Sequence, residues 1–196
     1  MELGSSGQGL STGDRRIVTK KIKILTIGHS YVVAANRNFM QELARDPRFD
    51  ITLVAPKFMD AALRPITVEE EKSPLKLIAL NALFTKYIHI FFYLGLGHLL
   101  KKEKYDIVHI WEEPYILSGL QAAFLCRRHK IPYVFSSYQN LNKHYPWPFS
   151  WIETYVVKHA KAWIAWASQV YENLLLRGYD KDKGHLIYPG IDGNVF

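Results

Sequence analysis

The feature that most constrains this chain is a rhythm of short apolar runs alternating with longer amphipathic stretches. Apolar runs stand at 22–27 (IKILTI), 51–55, 76–80, 107–111, 133–136, 162–167 and 185–188. Helical patterns stand between most of them. In 36–45, Phe39, Met40 and Leu43 fall at helical spacing and Pro47 closes the run; 84–102 is a long, aromatic-rich pattern, and 115–129 is another. Ser150 and Glu153 have the spacing of a capping box, which predicts a helix from 150 to about 159. A further helix is expected over 168–177, with Gly178 as its left-handed cap. Strands separated by helices of this length imply βαβ units, hence a mostly parallel sheet covered on both faces. Near-continuous apolar strands agree, because strands buried on both faces need not alternate. The expectation is a doubly wound, Rossmann-like α/β fold.

Length and composition fit one such domain. The chain has 196 residues, against roughly 100–200 per domain, enough to bury about 70% of its unfolded surface without disulfides or metals. Cys126 is the only cysteine, which excludes a disulfide scaffold and a cysteine zinc site and fits a reducing cytosol. The first sixteen residues, with four Gly and three Ser, lack the apolar core of a signal peptide and are expected to be a flexible leader, with the domain running over 17–196. The most apolar stretch, 88–100, has thirteen residues with two His and two Gly, short of the roughly 18–20 needed to span a bilayer. It suits a core helix with a basic end. The other reading is peripheral contact with the inner face of a membrane, Lys101, Lys102 and Lys104 meeting anionic headgroups. The net charge of +7 permits anionic partners, but no nucleic-acid motif is present and the basic residues do not line one helix face, so none is expected. No metal-ligand spacing, P-loop or nucleophile elbow occurs.

In an open parallel sheet, ligands bind beyond the carboxyl ends of the strands, where strand order reverses. That directs attention to four loops, at 28–35, 111–114, 136–145 and 167–169. The first carries Gly28, His29, Ser30 and Tyr31: Gly28 lets the backbone turn off its strand and the next helix N-terminus can offer amides to an anion, or the segment is a plain turn. His29 is either a site residue or a solvated loop histidine. No G-x-G-x-x-G follows, so a dinucleotide fingerprint is absent. The second loop holds Glu112 and Glu113, which can accept hydrogen bonds from sugar hydroxyls or act as a base. The plainer alternative caps the next helix with one and solvates the other; adjacent side chains diverge, so a paired dyad is not expected. The third loop, SSYQNLNKHYPWPF, sets Gln139, Asn140, Lys143 and other hydrogen-bonding groups beside Tyr138, Tyr145 and Trp147. Amides beside aromatic faces suit carbohydrate, though proline and aromatic pins can also make a merely structural loop.

The segments YDIVHIWEEPY (105–115), SSYQNLNKHYPWPFSWIETYVVKHAKAWIAWASQVYENLLLRGY (136–179) and HLIYPGIDGNVF (185–196), in this order, resemble the amino-terminal domain of family 4 glycosyltransferases. The ending is similar to the family phrase I-P-N-G-[VI]-D-x-x-x-F, with Pro189, Gly190, Ile191, Asp192 and Phe196 in place. The resemblance implies a GT-B enzyme, retaining and metal-independent. Its amino-terminal half binds a glycan or glycolipid acceptor, and a second domain binds the nucleotide-sugar. No other cofactor is implied. By position, Gly28 to Tyr31 match the family's first loop, where many members carry a Gly-Gly pair, and Glu112 and Glu113 match the loop after the fourth strand. Gln139 and Asn140 stand where many members have a His near the acceptor, and Ser168 matches a common Ser-Glu pair, here Ser168-Gln169. The chain ends where the donor domain would start. It is therefore expected to be an acceptor half that transfers little sugar alone. The alternatives are a non-catalytic binding module, a subunit of a split transferase, and a nucleotide-binding Rossmann protein that the missing fingerprint disfavours.

Overall fold

The computed structural model describes residues 20–60, 65–70, 73 and 75–190. The leader and the last six residues of the closing phrase, 191–196, lie outside the described residues. Seven strands form one parallel sheet: β1 (Ile22–Ile27), β2 (Phe49–Pro56), β3 (Lys76–Leu80), β4 (Ile107–Ile110), β5 (Tyr133–Ser137), β6 (Ala162–Ala165) and β7 (Gly184–Leu186). Their spatial order is β7-β6-β5-β4-β1-β2-β3. β1 pairs in parallel with β2 on one side and β4 on the other. Strand order therefore reverses between β1 and β4, and their carboxyl ends open the crevice where ligands of such sheets bind.

The helices are α1 (Asn38–Ala44), α2 (Leu96–Lys102), α3 (Leu117–Arg128), α4 (Phe149–His159) and α5 (Ser168–Leu176). Side-chain alternation along the strands divides the core in two. Leu25 and Ile27 of β1 join Val54, Val108, Ile110 and Phe135 in the larger cluster, together with α2, α3 and α4. Ile51, Leu53 and Ala55 of β2 face the other way, against Tyr31 and Met40 of the α1 side. α3 lies close to the sheet because its inner face is small: Ser118, Gly119, Ala122 and Ala123 are all buried.

The expected helix over 84–102 is not formed. Ala82–Leu83 and Phe92–Tyr93 pair as a short antiparallel ribbon, and only Leu96–Lys102 is helical. Gly95 takes a left-handed conformation (φ 84°) between ribbon and helix, as does Phe84 (φ 58°) in the turn. These two reversals break an apolar run whose composition alone does not choose between helix and strand. The stretch 88–100 still enters the core, through Phe91, Tyr93, Leu96 and Leu100. No described helix is long and apolar enough to cross a membrane.

The capping box is also absent. α4 starts at Phe149 after Pro148, without a side-chain cap. The Glu153 carboxylate turns away to accept two hydrogen bonds from Arg177 Nη2 (2.6 and 2.5 Å) and one from the Tyr179 hydroxyl (2.6 Å). A buried guanidinium and phenol outcompete a helix-end amide for a carboxylate. Gly178 does follow α5 in the left-handed region (φ 82°), its amide donating to the Leu175 carbonyl.

Candidate functional site

The switch-point crevice is built from four strand ends laced together by two adjacent carboxylates. After β1, Gly28 is extended (φ −163°, ψ 136°), a conformation open to any residue. What requires glycine is proximity: a Cβ here would sit 3.0 Å from the Trp111 Cβ and 3.1 Å from the Trp111 carbonyl oxygen. His29–Val32 then forms a 3₁₀ turn, not the start of an α-helix. The helix N-terminus expected to offer amides to an anion is therefore missing at this point. The His29 amide instead donates to Glu112 Oε1 (2.7 Å).

Glu112 is buried and fully engaged. It also takes a short contact from His29 Nδ1 (2.5 Å) and a bond from the Tyr93 hydroxyl (3.3 Å). Burial disfavours the His29 imidazolium, but the Glu112 carboxylate more than offsets this, and the His29 pKa lies above its ordinary value. Glu112 thus ties the first loop to the second and has no face left for a sugar. Glu113 points elsewhere, accepting from Ser137 Oγ (2.8 Å) and the Tyr138 amide (2.7 Å), and so ties the second loop to the third. Burial raises its pKa although these hydrogen bonds oppose the shift. The two carboxylates form no dyad, as their adjacency implied.

Tyr31 is a core residue, wholly buried, its hydroxyl 2.8 Å from Thr26 Oγ1. Beneath the crevice floor this contact extends into a buried polar row. His109 Nδ1 lies 3.0 Å from Thr26 Oγ1, and His109 Nε2 lies 2.7 Å from Ser136 Oγ. Burial depresses the His109 pKa to about 4, so its imidazole is neutral. Sequence reasoning missed this row because a histidine inside an apolar strand carries no local sign of its partners.

A groove of about 1060 Å³ opens between α1 and the strand ends. Its floor is aromatic. The Tyr138 ring lies parallel to Trp166 (centroids 5.7 Å, planes 7° apart), Trp111 packs 4.8 Å from Trp166, and Phe39 meets Trp166 edge-on at 5.2 Å. Three buried polar atoms of groove residues have no hydrogen-bond partner: Ser30 Oγ, Gln41 Nε2 and Trp166 Nε1. Of the candidate site residues named from sequence, only Ser30 and Tyr138 line this groove, joined by Pro189 and Gly190 of the closing phrase. From sequence, Phe39 is only an apolar helix-face residue and Trp166 carries no assignment; the signal for Trp166 is its place directly after β6.

The remaining expected residues lie in or beside the third loop. Gln139 is buried with its amide beside Glu113, where it helps stabilise that carboxylate, but it closes no hydrogen bond of normal geometry; Asn140 and Lys143 are exposed. This loop is held from behind. Asn173 Nδ2 donates to the carbonyls of Gln139 (2.8 Å) and Leu141 (3.1 Å), Arg177 donates to the Lys143 carbonyl, and the Arg177 guanidinium covers the Tyr145 ring. Ser168 begins α5, exposed and outside the groove lining. Among the described residues no group of three His, Cys, Asp or Glu could hold a metal ion.

Solved structures share this architecture. Anabaena HepE in complex with UDP-glucose is 14% identical at a TM-score of 0.61, over 89% of this chain and 45% of that one. UDP-N-acetylglucosamine 2-epimerase from Rickettsia bellii is 16% identical at 0.55, over 85% of this chain and 44% of that one. At such identities the likeness shows the fold alone, a Rossmann half of a GT-B enzyme, and the chain spans about half the length of the structures it matches. No curated protein matches the chain in sequence. The family model of Glycosyltransferase Family 4 matches residues 32–194. Together with the parallel sheet and its switch-point crevice, that match establishes that the chain belongs to glycosyltransferase family 4.

Proposed function

We propose that this chain is the acceptor-binding half of a retaining, metal-independent glycosyltransferase, with a second Rossmann-like domain holding the nucleotide-sugar. The observation that carries the reading is the groove beside the switch point. Its aromatic floor offers a face to the C–H side of a sugar ring. Its unpaired Ser30 Oγ, Gln41 Nε2 and Trp166 Nε1 each cost about 1–3 kcal/mol unless a partner meets them. A polyhydroxylated ring supplies the stacking contact directly, and it reaches these three atoms, which are closed off from solvent in this structure, only once the side chains of Ser30, Gln41 and Trp166 shift. Glu112 and Glu113 act as struts that set the loops around this groove, and Ser30 of the first loop lines it. Retention, metal independence and the donor's nucleotide come to this reading from the family.

A lipid-linked acceptor fits the surroundings. Phe84, Tyr87, Ile90 and Leu94 are exposed large apolar side chains, as are Trp147 and Trp151. His89 packs against both Tyr115 and Phe149, which brings these two segments side by side at the loop end of the molecule. Tyrosine and tryptophan favour the headgroup level of a bilayer, so this end would lie on the inner face of a membrane.

The test is kinetic, on the chain joined to its donor-binding half and assayed with a lipid-linked sugar acceptor. Tyr138→Ala should raise the acceptor KM about three- to tenfold and leave the donor KM unchanged. An unchanged acceptor KM in Tyr138→Ala and Ser30→Ala would remove the groove from acceptor binding. Acceptor binding with no transfer in the joined protein would favour the alternative, a non-catalytic binding module.

A further inference from the structure

The sheet has a second end, opposite the loops, where strands start and helices finish. Charge is concentrated there. Lys20 and Lys21 lead into β1 and Lys23 lies at its start, and α2 ends in Lys101 and Lys102 with Lys104 ahead of β4. α3 ends in Arg127 and Arg128 with Lys130 ahead of β5, and α4 ends at Lys158 with Lys161 ahead of β6. All eleven are exposed. Few carboxylates stand among them: Glu103, bonded to Lys76 Nζ (3.0 Å); Asp106, which accepts from the Lys23 amide (2.8 Å) and lies 4.0 Å from Lys20 Nζ; and Asp50, beside Lys23 on β2. The whole chain carries +7, so this end holds more than the full net charge and the rest of the molecule is slightly acidic.

Basic residues at helix C-termini are ordinarily explained by the helix dipole. That explanation falls short here. Each helix end is equivalent to about −0.5 of a charge, so three of them offset only a small part of eleven cations. The excess is a standing self-repulsion that a bound polyanion relieves.

The surface is also shaped. One hollow of about 590 Å³ is lined by Lys23, Lys101, Lys104 and Lys130, among others. It continues through Lys130 and Ile131 into a second of about 320 Å³, lined by Arg127, His159 and Lys161 with no carboxylate. Of their apolar lining, Leu100, Tyr105 and Tyr133 are buried, Ile131 is half-buried and Pro132 is exposed, and Ile22, between Lys21 and Lys23, is an exposed aliphatic side chain at this end. The exposed apolar side chains of 84–94 and 147–151 belong to the other end. A cupped cationic surface whose hollows expose no Trp, Tyr or Phe, with one aliphatic side chain and a proline as its apolar exposure, suits carboxylates on a protein chain better than a lipid headgroup plane.

We infer that this basic end is a docking surface for an acidic protein segment, a run of Asp and Glu on a partner, engaged independently of the acceptor groove. The test uses the full chain, a fluorescent deca-glutamate peptide as probe, and vesicles of phosphatidylglycerol as the competing class. The control is Lys57→Glu/Lys86→Glu/Lys143→Glu, which changes charge by the same amount elsewhere. Wild type and control should bind the peptide with an affinity that falls steeply with salt. Arg127→Glu/Lys130→Glu/Lys161→Glu, folded as judged by circular dichroism, should bind at least about tenfold more weakly. Equal loss in the control would mean that net charge alone attracts the peptide, and would overturn the assignment. So would binding to the vesicles with none to the peptide, or no binding at all.

Discussion

His109 is the residue whose chemistry is most altered by where it lies. It sits on β4, buried, with Thr26 on one ring nitrogen and Ser136 on the other. Burial depresses its pKa to about 4, whereas in the unfolded chain the group titrates near 6.5. The unfolded state therefore binds the proton first as pH falls. The stability this group confers is complete above pH 6.5 and is lost progressively as pH drops towards 4, by about 3 kcal/mol. His29 works in the opposite sense. Its pKa is raised through Glu112, so its contribution is full below pH 6.5 and disappears as pH rises through the raised value. Urea unfolding at a series of pH values checks the His109 statement: His109→Gln should flatten the slope of stability between pH 6.5 and 4. A slope identical to wild type would place the acid sensitivity elsewhere. Gly28 shows the same dependence on neighbours. A sequence reading makes it a turn residue, but its backbone is extended and the constraint is the Trp111 backbone 3.1 Å from where a Cβ would stand.

Among the elements, α5 carries the least expected role. Its sequence predicts an ordinary amphipathic helix, and its buried Val170 and Leu174 fit that pattern. Its polar residues hold the third loop: Asn173 bonds two loop carbonyls and Arg177 a third. Arg177 is itself fixed by Glu153 on α4, with both side chains mostly buried. Removing one member of a buried pair leaves the other charge uncompensated, which costs about 3–5 kcal/mol. Glu153→Ala should therefore destabilise the protein by that amount. Asn173→Ala, which removes two neutral hydrogen bonds, should cost about 1–3 kcal/mol and speed amide exchange in residues 138–145 more than in α5. Uniform acceleration across both would show that Asn173 supports the fold at large and does not hold the loop. The capping-box spacing at Ser150 and Glu153 was a real local signal, overridden by a partner 24 residues away. The helix expected over 84–102 failed for a related reason: pairing of Ala82–Leu83 with Phe92–Tyr93 satisfies backbone groups that a helix would otherwise satisfy.

For the whole molecule, the sheet order places β1, β4 and β5 at the centre and β7 and β3 at the edges. Local opening is easiest where burial is least, and β7 is half-buried at Gly184 and exposed at His185 and Leu186. Hydrogen exchange followed by mass spectrometry should find β1 and β4 the most protected segments and β7 among the first strands to open. Equal protection of β7 and β1 would mean the sheet unfolds as one unit or that the β7 edge is covered. The two ends of this sheet also have different characters, an aromatic groove with exposed apolar side chains at one and the cationic surface at the other. That division was only partly visible in sequence. Composition reported +7 without its location, and the basic residues look scattered until parallel strands and antiparallel helices gather them at a single end.

The sequence by itself determined the fold class, the seven strands within a residue or two, most helices, and the loops that follow the strands at their carboxyl ends. It could do so because apolar periodicity and turn residues are local, and parallel strands with helical crossovers leave few topologies. It also pointed to the family, through three segments within residues 105–196. Only the tertiary structure decided which residues line the groove. Tyr31 and Glu112 turned into the core, Phe39 and Trp166 joined Tyr138 in the groove, and Glu153, Asn173 and Arg177 became supports. Each of those outcomes rests on contacts between residues far apart in the chain, where burial and partner geometry, not local propensity, set the energy.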